Sequence, residues 1–358
     1  MPENPSDHAL GAYDFELPPE RIAQAPLVER DASRLLVLER STGSLEHRRF
    51  AELPDLLRPG DLLVTNRSRV FPARLLGRRP SGGAAEILLV RRHAEDLWEA
   101  MVRPGRRLRP GVVVEVGPGL RVRIEAPGRR AADEGATPSP LRRVRLLPDG
   151  LDADTALERH GHVPLPPYIR RADAPSDRER YQTIYAREAG SVAAPTAGLH
   201  FTGDLLERLR ERGVERAELV LHVGPGTFRP VEAEDVREHR VDPERFTIPE
   251  ATAAAVDRAR AEGRRVVAVG TTTTRALESA FGPGGLLRPG DGETDLVIVP
   301  GFSFRAVDAL VTNFHLPRSS LLLLVSAFGG RERVLRAYAE AVRQRYRFYS
   351  YGDAMLLG

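Results

Sequence analysis

Residues 264–281 read RRVVAVGTTTTRALESAF. An apolar run ends at Gly270, four threonines follow, and a helix-forming segment then carries Arg275 and Glu278. Strand, polar loop and helix in that order form the repeating unit of an α/β sheet. A second unit lies upstream. There TGDLLERLRERG (202–213) reads as a helix capped by Thr202 or Asp204, with Leu205, Leu206 and Leu209 as its buried stripe and Gly213 as its stop. It leads into AELVLHV (217–223), which alternates like a strand, and then the sharp turn GPGTF. The third unit is TDLVIVPGFSF followed by DALVTNFHLPRSSLLLLVSAF, where ALV is a strand, TNFHLP a loop, and Pro317 opens a buried helix.

In open α/β sheets, ligands bind at the carboxyl ends of the strands. The sequence puts His222, Thr271–Thr274, and Asn313 with His315 at such ends, and His200 just before a helix in AAPTAGLHFT (193–202). One threonine suffices as an N-cap. Four in a row add hydroxyls and backbone N–H groups at the positive end of a helix, a natural seat for an anion. A lone histidine is ordinarily a satisfied structural group, but three at equivalent topological positions weigh toward a site.

The texture differs between 72 and 150. Short β-rich runs such as PARLLGR, AEILLVRR, LWEAMVRP, GVVVEVG, LRVRIEA and LRRVRLL alternate with Gly/Pro turns, and no helical pattern interrupts them. That spacing indicates a small barrel or sandwich. PGRRAADEGATPSP (127–140) reads as a hairpin tip. The expected architecture is therefore a larger α/β domain, residues 1–71 and 151–358, with an inserted small β-barrel over 72–150.

The chain has 358 residues, 41% hydrophobic and 29% charged, which is ordinary globular composition. It has no cysteine, so disulfides, thiolate metal sites and cysteine nucleophiles are excluded. All 53 basic residues are arginine. Without a lysine amine there is no Schiff-base chemistry and no P-loop lysine. The net charge is +3, yet 74–146 holds 16 Arg against 8 Asp+Glu, so +8, leaving 3 − 8 = −5 elsewhere. This guanidinium-rich segment is either a solvated surface or a nucleic-acid face. HGH (160–162) lacks the spacing of a zinc helix, G-x-S-x-G is absent, and no metal is expected. The N-terminus has no apolar signal region, and LLLLVSAF (321–328) is too short to cross a bilayer. A cytoplasmic protein without membrane contact is expected, as a monomer.

Longer strings carry a resemblance. YDFELPPERIAQAPLVERDASRLL, FPARLLG, PLPPYI, AAPTAGLHFT, LHVGPGTF, VGTTTTRALES, DALVTNFHLPRSSLLLLVSAF and YRFYSYGDAMLL closely resemble the S-adenosylmethionine:tRNA ribosyltransferase-isomerases of queuosine biosynthesis. The likeness covers nearly the whole chain and is weakest in the basic β segment. It implies transfer and isomerisation of the ribosyl part of S-adenosylmethionine onto 7-aminomethyl-7-deazaguanine (preQ1) at the wobble position of tRNA. The products would be epoxyqueuosine-tRNA, adenine and methionine. It also implies an α/β domain plus a small barrel. Two departures stand out: Arg67 in NRSR (66–69) where the family pattern has Asn, and Asp242 in EHRVDPE (238–244) where it has a second His.

Under that resemblance His200 and His222 are the acid/base candidates, with His315 next, because their pKa values lie near neutral. Thr271, Thr272, Thr273 and Thr274 with Arg275 are expected to hold the methionine carboxylate. Phe201 or Phe228 would face the sulfonium, with Thr196, Gly198 and Thr227 beside the same ligand. Asp308 and Asn313 would read polar base edges, and Tyr349, Tyr351 and Asp353 would meet the displaced nucleobase. Arg106, Arg107 and Arg109 would contact tRNA. The competing reading is a tRNA-binding protein without catalysis, carried by the basic insertion.

Overall fold

The computed structural model describes residues 5–127, 141–228 and 230–358. The first strands are β1 (Arg34–Leu38), β2 (Leu45–Arg49), β3 (Leu62–Asn66), β4 (Ser68–Val70), β5 (Arg74–Arg78) and β6 (Ala84–Arg92). Then come β7 (Leu97–Arg103), β8 (Val113–Gly117), β9 (Leu120–Pro127), β10 (Leu141–Pro148), β11 (Glu188–Ser191) and β12 (Glu215–Leu221). The last are β13 (Glu244–Ile248), β14 (Val266–Val269), β15 (Gly290–Thr294), β16 (Ala309–Asn313) and β17 (Ala354–Leu357). The helices are α1 (Leu53–Leu56), α2 (Ala153–His160), α3 (Asp177–Arg180), α4 (Gly203–Glu211), α5 (Glu250–Ala261), α6 (Thr271–Ala280), α7 (Ser320–Gly329) and α8 (Arg331–Arg343).

The chain divides into two compact units: 1–69 with 166–171 and 180–358, and 70–165 with 172–179. These limits differ from the 72–150 read from the sequence. Residues 151–165, with α2, go with the barrel, because α2 packs on β10.

The larger unit is built on a nine-stranded sheet, order β15-β13-β12-β3-β14-β16-β17-β1-β2. Its centre, β12-β3-β14-β16, is parallel. β3, β14 and β16 are buried along their full length, as strands covered on both faces must be. Alternate residues feed two cores: Val64, Ala268 and Leu310 face the α5–α8 side, and Leu63, Val267 and Val311 face the α1 and α4 side. The polarity changes at β17, which runs antiparallel to β16 and parallel to β1. The carboxyl end of β16 therefore shares an end of the sheet with the amino ends of β17 and β1.

Helix caps follow the sequence. Of the two candidates for α4, Thr202 caps it, accepting from the Leu205 amide, and Leu205 and Leu209 are buried while Leu206 is half-buried. Gly213 takes φ +79, a conformation that stops the helix without strain. Ser319 caps α7.

The smaller unit is a closed antiparallel barrel, order β10-β7-β6-β5-β8-β9. Ile87, Leu89, Ala100, Val114, Val122, Ile124, Val144 and Leu146 fill it from alternating positions. Residues 128–140, within the stretch read as a hairpin tip, lie outside the described residues.

Candidate active site

Polar residues from several chain segments meet at one end of the larger unit's sheet. The first is the 3-10 turn Thr196–His200, which precedes α4. His200 is buried and stacks on Phe50, ring centroids 4.9 Å apart. Both of its ring nitrogens are engaged: Nδ1 with Ser33 Oγ at 2.8 Å and Nε2 with Asn313 Nδ2 at 3.1 Å. Asn313 ends β16, donates also to the Tyr349 carbonyl at 3.2 Å, and accepts from Thr196 Oγ1 at 3.0 Å. Because the amide donates to Nε2, the imidazole carries its proton on Nδ1 and gives it to Ser33. Burial holds His200 neutral, its pKa pushed down to about 4; Asp353 opposes this and Arg347 and Arg30 add to it.

The second segment is the amino end of α6. Its N-cap is Gly270 at φ +90, with no side-chain cap, so its first N–H groups stay open. Thr271 and Thr272 line a cleft of about 30 Å³ with Pro195, Thr196, Thr312, Asn313 and His315. Thr273 and Thr274 do not. Their hydroxyls donate back to the carbonyls of Val269 and Gly270, so the helix itself uses them. Arg275 also points elsewhere, pairing with Glu244 and donating to the carbonyls of Leu296 and Thr294.

His315 lines the same cleft, with Nε2 2.9 Å from Thr312 Oγ1, and burial pushes its pKa down to about 3. His222 leaves β12 nearby but lies outside the cleft lining. Its Nδ1 is buried without a hydrogen-bond partner, and burial, then Arg245, lowers its pKa. Gly190, at φ +142, leaves space for this ring, since a Cβ there would sit 2.8 Å from His222 Nδ1. Gly198 is required by packing, because a Cβ would meet the Tyr185 hydroxyl at 2.2 Å.

Several expected residues stand apart. Phe201 is fully buried and edge-on to Phe50. The Asp308 carboxylate accepts the Val266 amide at the opposite, amino end of β16. Asp353 is buried and receives Arg34, through its amide and guanidinium, and the Arg347 amide. Tyr349 contributes its carbonyl, while its ring meets Tyr168. Tyr351 lines a small pocket beside His200. The side chains of Thr227 and Phe228 lie outside the described residues. Arg106, Arg107 and Arg109 are exposed on the barrel unit, in the segment after β7.

Sequence reasoning missed Ser33, Thr312 and the clamp made by Asn66. Asn66 ends β3, donates to the Leu221 carbonyl and to Thr272 Oγ1, and accepts from the amides of Ser68 and Leu221. A signal was present: LVTN occurs at 63–66 and again at 310–313, closing two parallel strands with Asn66 and Asn313. Arg67, one departure from the family pattern, reaches Glu188 and Glu218. Among the described residues no cluster of three or more His, Cys, Asp or Glu could hold a metal ion, and no helix is long and apolar enough to cross a membrane.

Comparison with known proteins places this arrangement. The family profile described as queuosine biosynthesis protein matches residues 10–357. An S-adenosylmethionine:tRNA ribosyltransferase-isomerase of Heliobacterium modesticaldum is 53% identical over 350 residues, 97% of this chain and 99% of that protein. The protein of the same name from Thermus thermophilus is 54% identical over 357 residues, 97% of this chain and 99% of the relative. The crystal structure of an S-adenosylmethionine tRNA ribosyltransferase from Thermotoga maritima aligns with a TM-score of 0.55 at 40% identity, covering 97% of this chain and 100% of that one. With more than half of its residues shared along nearly its whole length, the chain belongs to the queuosine biosynthesis protein family.

Proposed function

We propose that the protein is an S-adenosylmethionine:tRNA ribosyltransferase-isomerase, acting in the cytoplasm on tRNA that carries preQ1 at the wobble position. The carrying observation is the match of 53% identity over 97% of the chain to a protein of that name. The profile match, 10–357, spans every polar residue of the cluster.

S-adenosylmethionine is assigned to the cleft lined by Thr196, Thr271, Thr272, Asn313 and His315. The open N–H groups of α6 favour the methionine carboxylate. As it stands the cleft, about 30 Å³, has room for a water or two. Binding therefore requires part of the lining to move apart.

The chemistry needs a base for the ribose C5′ proton, acidified by the adjacent sulfonium, and an acid for departing adenine. His315 lines the cleft with an unprotonated ring, so it is assigned the base role on its position; burial, which lowers its basicity, has to be offset when substrate fills the cleft. His222, with its Nδ1 unpartnered, is the second candidate. His200, with both nitrogens committed, acts as a positioning residue that sets Asn313. The test is turnover and tRNA affinity of His315→Ala and His222→Ala. Loss of turnover at unchanged tRNA affinity supports the assignment, and full turnover in both variants removes it.

A further inference from the structure

A second small pocket lies on the other side of His200, at the amino ends of β1 and β17. Its volume is about 20 Å³, and Arg30, Arg180 and Arg347 converge on it with Ser33, Ser350 and Tyr351. No carboxylate is among its lining residues, all of which are described. The Arg180 Nη groups donate to the carbonyls of Leu27 and Val28, which fix the guanidinium without cancelling its charge. Its Nε is buried with no hydrogen-bond partner. Arg30 Nη1 donates to the Leu199 carbonyl at 3.0 Å. Arg347 Nη2 lies 3.4 Å from the Gly352 carbonyl and 3.5 Å from Asp353, whose carboxylate is shared with Arg34. The field of Arg347 and Arg30 is felt at the His200 ring, where both disfavour the imidazolium.

We propose that this three-arginine pocket seats one backbone phosphate of the RNA substrate, next to the nucleotide being modified. The inference rests on the reading that tRNA is the substrate. At about 20 Å³ the pocket is too small for a base and has room for about one water, the size of one non-bridging phosphate oxygen reaching in from the backbone. Fixed guanidinium forks recognise phosphate through paired N–H donors. A nucleotide that is modified must leave its stack, and extrusion swings its flanking phosphates toward the active centre. The other anion of the reaction, the methionine carboxylate, already has a seat at α6 on the far side of Asn313.

The test uses the full chain and an anticodon stem-loop RNA in which single linkages flanking the wobble nucleotide are made neutral as methylphosphonates. With wild type, one such linkage should weaken binding about tenfold or more. Arg180→Gln should show the same loss with natural RNA, lose little more with the neutral linkage, and lower the salt slope of binding by about 0.7. Strictly additive losses would overturn the proposal, as would a raised KM for S-adenosylmethionine at unchanged RNA affinity. Should Arg180→Gln fail to fold, Arg347→Gln takes its place. A wild-type scan in which no flanking linkage matters overturns the proposal without any variant. RNA binding is read here without turnover, so failure of the enzyme assignment would appear separately, as no reaction of S-adenosylmethionine while the phosphate effect persists.

Discussion

Replacing His200 with glutamine should flatten the acid side of the protein's stability profile. In the folded chain the imidazole is neutral, its pKa lowered from 6.5 to about 4, chiefly by burial. In the unfolded chain it titrates near its ordinary value. Between those limits the unfolded state binds the extra proton, so this site's contribution is complete above about pH 6.5 and is lost as pH falls toward 4. At about 1.4 kcal/mol per pH unit, the drop from 6.5 to about 4 corresponds to about 3 kcal/mol. His315 behaves in the same sense but is common to both proteins and cancels in the difference. At pH 7.5 the variant should be less stable by about 2–4 kcal/mol, since Ser33 and Asn313 lose well-formed partners and the stack on Phe50 is gone. At pH 4.5 that gap should shrink by roughly 3 kcal/mol. Urea unfolding midpoints in half-unit pH steps read this directly. If wild type and His200→Gln lose stability in parallel between pH 6.5 and 4.5, the imidazole is not held neutral by the fold and the network assigned to it is wrong.

Other substitutions separate neighbours that look alike in sequence. Thr271→Val and Thr272→Val should raise the KM for S-adenosylmethionine about tenfold, while Thr273→Val and Thr274→Val leave it within twofold and cost about 1 kcal/mol of stability at most. Arg275→Ala should cost about 3–5 kcal/mol, because it takes the guanidinium away from the buried Glu244 carboxylate, and thermal unfolding would show it. Gly190→Ala should displace the His222 ring and cost about 1–3 kcal/mol, with a changed pH–rate profile if His222 takes part in proton transfer. Replacing Arg106, Arg107 and Arg109 together with glutamine should weaken tRNA binding and lower its salt slope by about 2–3. Unchanged binding would return that patch to ordinary solvated surface.

The parts of this molecule that sequence reveals are those set by local pattern. The apolar runs of β3, β14 and β16, the Thr202 cap and the Gly213 stop are written within a few residues of where they act. The strand ends were legible for the same reason, which is why Thr196, His200, Thr271, Thr272, Asn313 and His315 came together. What escaped depends on helix phase and on distant chain. Thr273, Thr274 and Arg275 share a run with Thr271, yet each step rotates a helix by about 100°, and only packing against the sheet decides which side chains reach the cleft. Ser33 lies 167 positions from His200 and has no local mark of its role. Asp308 precedes β16 and so lies at the end opposite Asn313. Asp353 lies at the site's end of the sheet, but its carboxylate is taken up by Arg34, 319 positions away, and by the Arg347 amide. The repeated LVTN was the one overlooked cue that pointed to Asn66.

The most direct measurement is incubation of the purified protein with S-adenosylmethionine and tRNA bearing 7-aminomethyl-7-deazaguanine, followed by nucleoside mass analysis. The account predicts epoxyqueuosine in the tRNA, with adenine and methionine released in equal amounts, and loss of all three products in Asn313→Ala. A wild-type protein that binds this tRNA but releases neither adenine nor methionine would contradict it.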